Sequence, residues 1–244
     1  MVNHLPENWK MKGGGHCVHV RCPRYFIGVL AEILSGWSIT KSNQTDKCAV
    51  TASFVHEGYL IDSLVLLKPS KHNEIMNALN EFLVNLAYVI SGMDRDTRLL
   101  HCAGFFEHGE MNIVVGAKNR GKSALVYKKA CEGKEIVADD LLIWQPKTGK
   151  FFALGFPLRL RRPVLPIDGR SANPDNFFAG DKIAYSKKHA YDIAQVGKSF
   201  LLDQLWELDQ RYTPRSVPIL QTAVTLEKFI IGPEYTTVIR ERLE

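Results

Sequence analysis

Met111-Asn-Ile-Val-Val115-Gly116-Ala117-Lys118-Asn119-Arg120-Gly121-Lys122-Ser123-Ala124 carries the most specific pattern in the chain. Gly116 to Ser123 matches G-x-x-x-x-G-K-[ST] in full, the pattern of a phosphate-binding loop. At average residue frequencies, a chance match in a chain of 244 residues is on the order of one in a hundred. The context agrees with the motif. Met111 to Val115 is a short apolar run that reads as a buried strand, and Ala124 to Glu132 reads as a helix with Gly133 placed to end it. In that order, the loop N–H groups and the helix N-terminus converge on β- and γ-phosphate oxygens. Lys122 adds a cation to the same oxygens, and the Ser123 hydroxyl is suited to Mg²⁺. Gly116 and Gly121 let the backbone approach a ligand closely.

A second element follows one helix later. Ile136-Val-Ala-Asp139-Asp140 reads as a buried strand ending in two carboxylates. Phosphoryl transfer needs one carboxylate near the metal and, for a hydroxyl acceptor, one to take its proton. Neighbouring strand residues point to opposite sides, so Asp139 and Asp140 should divide these roles. The assignment leans towards Asp140 as base and Asp139 on the metal side.

His101, the strand before the loop, the loop itself and the Ala-Asp-Asp strand resemble the catalytic domain of HPr kinase/phosphorylase. The likeness is closest to its shorter relatives, some of which accompany peptide-modifying gene clusters, and it covers about Leu99 to Pro163. The resemblance implies an α/β P-loop kinase domain of the HPr kinase/phosphoenolpyruvate carboxykinase type, preceded by a small α+β region. It implies ATP-dependent phosphorylation of a serine hydroxyl, with ATP and Mg²⁺ as cofactors. Carried over, Lys122 and Ser123 bind phosphate and Mg²⁺, Asp139 and Asp140 supply metal and base functions, and His101 sits beside the transferred phosphoryl. Three departures stand out. The family loop usually has Ser-Gly in its middle, where Lys118, Asn119 and Arg120 stand here, either touching the triphosphate or facing solvent. The acidic residue that follows Lys-Ser in the full-length enzymes is Ala124. The glycine-rich signature linked to phosphorolysis is not recognisable in Phe151 to Arg159, so a kinase without phosphorylase activity is expected, with HPr an improbable substrate.

With 45% hydrophobic and 23% charged residues the chain can bury a substantial core. A net charge of +5 suits an anionic nucleotide and an acidic acceptor, and no block of five like charges indicates a nucleic-acid tail. Five scattered cysteines and a polar N-terminus without a signal peptide point to a reducing cytoplasm. No apolar run reaches the roughly 18 residues of a membrane span. Partners are therefore expected to be a serine-bearing peptide or protein, not nucleic acid or membrane, with a homo-oligomer left open.

Taken in order, residues 1 to 15 read as a loose polar terminus. His16 to Cys22 alternates as a strand with Val18, Val20 and Cys22 on one face, which separates Cys17 from Cys22 and argues against a metal site. Tyr25 to Trp37 reads as a helix, Cys48 to Val55 and Tyr59 to Leu67 as two strands, and Asn73 to Ser91 as the clearest helix, with Gly92 past its end. Residues 1–98 thus form the N-terminal α+β region and 99–244 the kinase region. Leu141 to Trp144 and Lys150 to Leu154 form a hairpin about Gln145 to Gly149. Arg159 and Arg161 share a strand face and either meet phosphate or an acidic acceptor or stand as solvated edge residues. Pro166 to Gly180 reads as a loop, and Ser199 to Arg211 and Leu220 to Phe229 as helices.

The expected activity is a Mg-ATP kinase acting on serine of a peptide or protein, with a modified natural product's precursor peptide favoured. A non-catalytic ATP-binding sensor or assembly module and a small-molecule hydroxyl kinase stand as alternatives. No N-K-x-D guanine-reading tetrapeptide occurs, which argues against a GTPase, and neither H-R-D nor D-F-G occurs, which argues against a eukaryotic-type protein kinase.

Overall fold

The computed structural model describes residues 5–43, 47–164, 166, 172–209 and 213–232. Its first part runs β1 (Pro6–Gly13), β2 (His16–Pro23), α1 (Arg24–Ile33), β3 (Ser38–Lys41), β4 (Val50–Val55), β5 (Gly58–Ser63), β6 (Ser70–His72) and α2 (Ile75–Gly92). The chain continues through β7 (Arg98–His101), β8 (Ala103–Glu107), β9 (Glu110–Val115), α3 (Lys122–Cys131), β10 (Ile136–Ala138), β11 (Leu141–Gln145), β12 (Lys150–Phe152) and β13 (Arg159–Arg161). It closes with β14 (Phe177–Ala179), β15 (Ile183–Ser186), β16 (Ser199–Leu201), β17 (Gln204–Leu208), β18 (Pro214–Ser216) and α4 (Thr222–Glu227).

These elements build a mixed α/β structure of four sheets, ordered β3-β1-β2-β4-β5-β6, β10-β8-β9-β17-β18, β16-β12-β11-β7 and β13-β15-β14. Helix α2 lies between them. Its apolar face includes Leu79, Phe82, Leu86 and Ile90, all buried, and it packs on β4 and β5 from one side and on β7 and β11 from the other. One core cluster consequently draws on both sides of Leu99, joining Phe26, Ile61 and Phe82 to Leu99, Ile143 and Tyr185.

Four sequence expectations are corrected. Residues 6 to 13 are a strand rather than a loose terminus: β1 pairs with β2 from Pro6↔Pro23 to Gly13↔His16, buries Met11, and Trp9 Nε1 donates to Cys22 O at 3.1 Å. Residues 1 to 4 of that stretch lie outside the described residues. The expected helix from Ser199 to Arg211 is two strands, β16 and β17. Leu205 and Leu208 have the three-residue spacing of a helix, yet β17 is claimed by backbone pairing, running parallel to β9 from Gln204↔Asn112 to Glu207↔Val115. Residues 210–212 lie outside the description. The expected helix from Leu220 narrows to a 3₁₀ turn, Ile219–Gln221, and the six residues of α4. Of the expected 166–180 loop, residues 167–171 are not described, while Pro174–Asn176 is a 3₁₀ turn leading into β14.

The two halves meet where backbones touch directly. Ser35 N donates to Gly155 O at 2.8 Å, Val196 N donates to Ser35 O at 3.1 Å, and Trp37 Nε1 donates to Leu154 O at 2.9 Å. Gly155 sits at φ +68°, and a Cβ there would lie 2.1 Å from Ser35 O. Gly149, in the β11–β12 turn, has the same φ of +68° but nothing within 4 Å of such a Cβ. The pair separates backbone strain from collision. Gly149→Ala should cost about 1–2 kcal/mol in urea denaturation, the ordinary left-handed penalty. Gly155→Ala should cost at least about twice that, because the carbonyl it meets is held by its own hydrogen bonds. Equal costs at the two positions would contradict the junction described here.

Candidate active site

Strand β9 delivers the chain to the loop. Met111, Ile113, Val114 and Val115 are buried in it, flanked by β8 and β17, and Asp203 anchors its start by accepting from Met111 N at 2.7 Å. The chain then turns through residues 116–121 and enters α3 at Lys122. Gly121, the residue before the helix, has φ +85°, a left-handed conformation that a side chain would strain. Gly121 has no side chain with which to cap the first-turn N–H groups of α3. Lys122 is only 6% exposed. Its ammonium folds back over the loop, donating to Gly116 O at 2.8 Å and Ala117 O at 3.4 Å. Burial lowers its pKa, opposed by the negative charge of Asp140, Cys102 and Asp139.

The carboxylates lie in the bend just past β10 rather than on the strand expected through Asp140, and they take up different environments. Asp139 is 4% exposed. Its Oδ2 accepts from the Arg159 backbone N–H at 2.7 Å, whereas its Oδ1 is buried without a hydrogen-bond partner among the described residues. Burial pushes its pKa up to about 7 against the opposing pull of the Arg159 N–H and the Ser123 hydroxyl. Asp140 opens to the surface and pairs through Oδ1 with His101 Nδ1 at 3.0 Å. Its burial acts to raise the pKa, but the His101 hydrogen bond and the positive charge of Arg159 and Lys122 outweigh it and hold the carboxyl below the usual range. The register explains the contact: β7 and β11 align His101 with Leu141, the residue after Asp140.

These groups share one cavity of about 640 Å³. Lys118, Asn119, Arg120, Gly121, Lys122, Ser123 and Ala124 line it from the loop side, and His101 and Asp140 face them. Gly116 and Ala117 take part through the carbonyls that hold Lys122, and Asp139 stands behind Ser123 rather than on the wall. Arg159 and Arg161 also line the cavity, Arg161 reaching across to donate to Asn119 Oδ1. Sequence reading missed two contributors. Asn80, on α2, lines the cavity although its helix reads as core packing, and Tyr127 supplies an aromatic wall from α3. The only sequence signal for Asn80 is an amide between Leu79 and Phe82 in an apolar stripe.

Chemically, the cations Lys118, Arg120, Lys122, Arg159 and Arg161 against the carboxylate of Asp140 suit a polyanion. The donor set also fits Mg²⁺: a hydroxyl, Ser123, backed by a buried carboxylate with one oxygen unsatisfied. Neither protein-family models nor curated proteins give a match to this chain. The HPr kinase resemblance therefore rests on the residues quoted for it.

Asp139 also ties the site to stability. A carboxyl raised from 3.8 to about 7 keeps its proton in the folded protein where the unfolded chain has lost it. Its contribution is thus complete below pH 4 or so and is lost as the pH rises towards about 7. Asp140, shifted the other way, acts below that window. In metal-free urea denaturation, the stability of Asp139→Asn relative to the unsubstituted protein should improve between pH 4.5 and 7.5. A gap independent of pH would contradict the buried, proton-holding state.

Proposed function

We propose that this chain is a Mg-ATP-dependent phosphotransferase that moves the γ-phosphoryl group to a serine hydroxyl of a peptide or protein. Residues 99 to 244 are proposed to carry the P-loop kinase fold of the HPr kinase type. The observation that carries the reading is the single cavity that holds the phosphate-loop residues, Lys122 and Ser123 opposite the Asp140–His101 pair. A loop alone supports only nucleotide binding. A cavity that also presents an ionised, partly exposed carboxylate supports attack by a hydroxyl.

In this mechanism the loop N–H groups and Lys122 hold the β- and γ-phosphates. Ser123, backed by Asp139, would hold Mg²⁺, which when bound offsets charge on the phosphate oxygens. Asp140 orients the acceptor hydroxyl and takes its proton, and His101 fixes the carboxylate through the 3.0 Å contact. The hydroxyl oxygen forms the new bond to the γ-phosphorus. The bond from that phosphorus to the β–γ bridging oxygen breaks, and its electron pair leaves with ADP. The acceptor favoured is a precursor peptide of a modified natural product, on resemblance. A cytoplasmic setting is part of the proposal, resting on the five scattered cysteines of the sequence. No described helix is long and apolar enough to cross a membrane.

The test is incubation with γ-labelled ATP, Mg²⁺ and a panel of serine peptides. Label should reach a peptide serine, fall by about 10²-fold or more in Asp140→Asn with ATP binding retained, and disappear with ATP binding in Lys122→Ala. Transfer undiminished in Lys122→Ala, or ATP bound tightly and never transferred or hydrolysed, would contradict the reading.

A further inference from the structure

Arg159 has an environment that its place on a three-residue strand does not require. Its backbone N–H is spent on Asp139 Oδ2 at 2.7 Å, which fixes the main chain beside both carboxylates. The side chain lines the cavity, and its Nε is buried with no hydrogen-bond partner among the described residues. A buried guanidinium N–H without an acceptor is costly unless a ligand supplies one.

The sheet sets what stands beside the guanidinium. Arg159 and Tyr185 are cross-strand partners in the β13–β15 pair. The Tyr185 hydroxyl lies within electrostatic reach of the Arg159 guanidinium and donates to Asn80 Oδ1 at 3.2 Å. Tyr185 is 2% exposed, so its bond to Asn80 is sheltered from water. That bond joins α2, in the N-terminal region, to the cross-strand partner of Arg159. A solvated edge arginine would need none of this.

We infer that Arg159 is a catalytic residue whose guanidinium meets the phosphoryl group in transit between ATP and the acceptor, with Tyr185 and Asn80 as positioning residues. The inference rests on the phosphotransferase reading above. Lys122, folded over the loop carbonyls, serves the phosphates of bound nucleotide. Arg159 stands at the carboxylate side of the cavity, where its charge acts on both Asp139 and Asp140. A planar fork placed there adds hydrogen bonds to the equatorial oxygens as charge builds on them. The N-terminal region thereby becomes part of the active site through Asn80.

The experiment compares binding of Mg·ADP with and without aluminium fluoride, which mimics the planar phosphoryl in flight, and records a melting curve for every variant. In the unsubstituted protein, fluoride should tighten ADP binding strongly. Arg159→Ala should keep ADP affinity within about threefold and lose about 10²-fold or more of the fluoride enhancement, in keeping with the scale of catalytic arginines. Arg159→Lys, which retains charge without the fork, and Tyr185→Phe, which retains the ring without the hydroxyl, should each lose roughly tenfold of it. These two keep the test decisive if Arg159→Ala melts early. Unchanged enhancement in all three variants overturns the inference and leaves the phosphotransferase reading intact. Equal loss with and without fluoride overturns it too, making Arg159 a ground-state phosphate contact. Mg·ADP binding without any fluoride enhancement in the unsubstituted protein removes the phosphotransferase reading, and the inference with it.

Discussion

The bond from the Arg159 backbone to the buried Asp139 carboxylate is the constraint on which the site depends. It fastens the end of β10 to the start of β13, two short strands that belong to different sheets. Without it, Ser123 would lose the carboxylate behind it and Asp140 would lose its fixed direction towards His101. The cost is considerable, since a carboxyl at 4% exposure is driven to hold its proton near neutrality. The unsatisfied Oδ1 is where the chemistry of a cation would repay the burial.

Around this point the topology supplies rigidity. The loop strand β9 lies between β8 and β17, so the residue entering the loop is clamped on both edges. Helix α3 leaves the loop and packs on β8, and α2 closes the other side from the N-terminal region. Backbone contacts at Ser35, Gly155 and Val196 leave no space for adjustment between the two parts. A shift of α2 would reach the cavity through Asn80 and Tyr185. The division into residues 1–98 and 99–244 therefore describes the order of the chain better than the layout of the core, which spans both.

Much of this was legible in the sequence, for physical reasons that can be named. Loop residues 116 to 123 carry a local pattern whose geometry is fixed by glycine and the following helix, and β9 and α3 stand where that pattern puts them. Asp139 and Asp140 do differ in burial, but both lie in the bend past β10, so strand alternation is not the cause. Helix α2 and strand β2 were readable because a single face of each is apolar. Signals failed where pairing partners are distant. β1 is polar enough to pass for a tail, and becomes a strand through its register with β2 and β3. β17 has helical spacing, and its partner β9 lies about ninety residues earlier, so nothing local announces the parallel pair. Asn80 and Tyr185 were invisible as site residues for the same reason, since the bond between them joins α2 to β15.

The most direct test of the central claim is a calorimetric titration of the metal-free protein with ATP, alone and with Mg²⁺, repeated on Ser123→Ala. The account predicts one nucleotide per chain, bound markedly more tightly with Mg²⁺, and a Mg²⁺ advantage that vanishes in Ser123→Ala while metal-free ATP still binds. ATP affinity indifferent to Mg²⁺, or a Mg²⁺ advantage untouched by Ser123→Ala, would show that Ser123 and Asp139 do not form the metal side of this site.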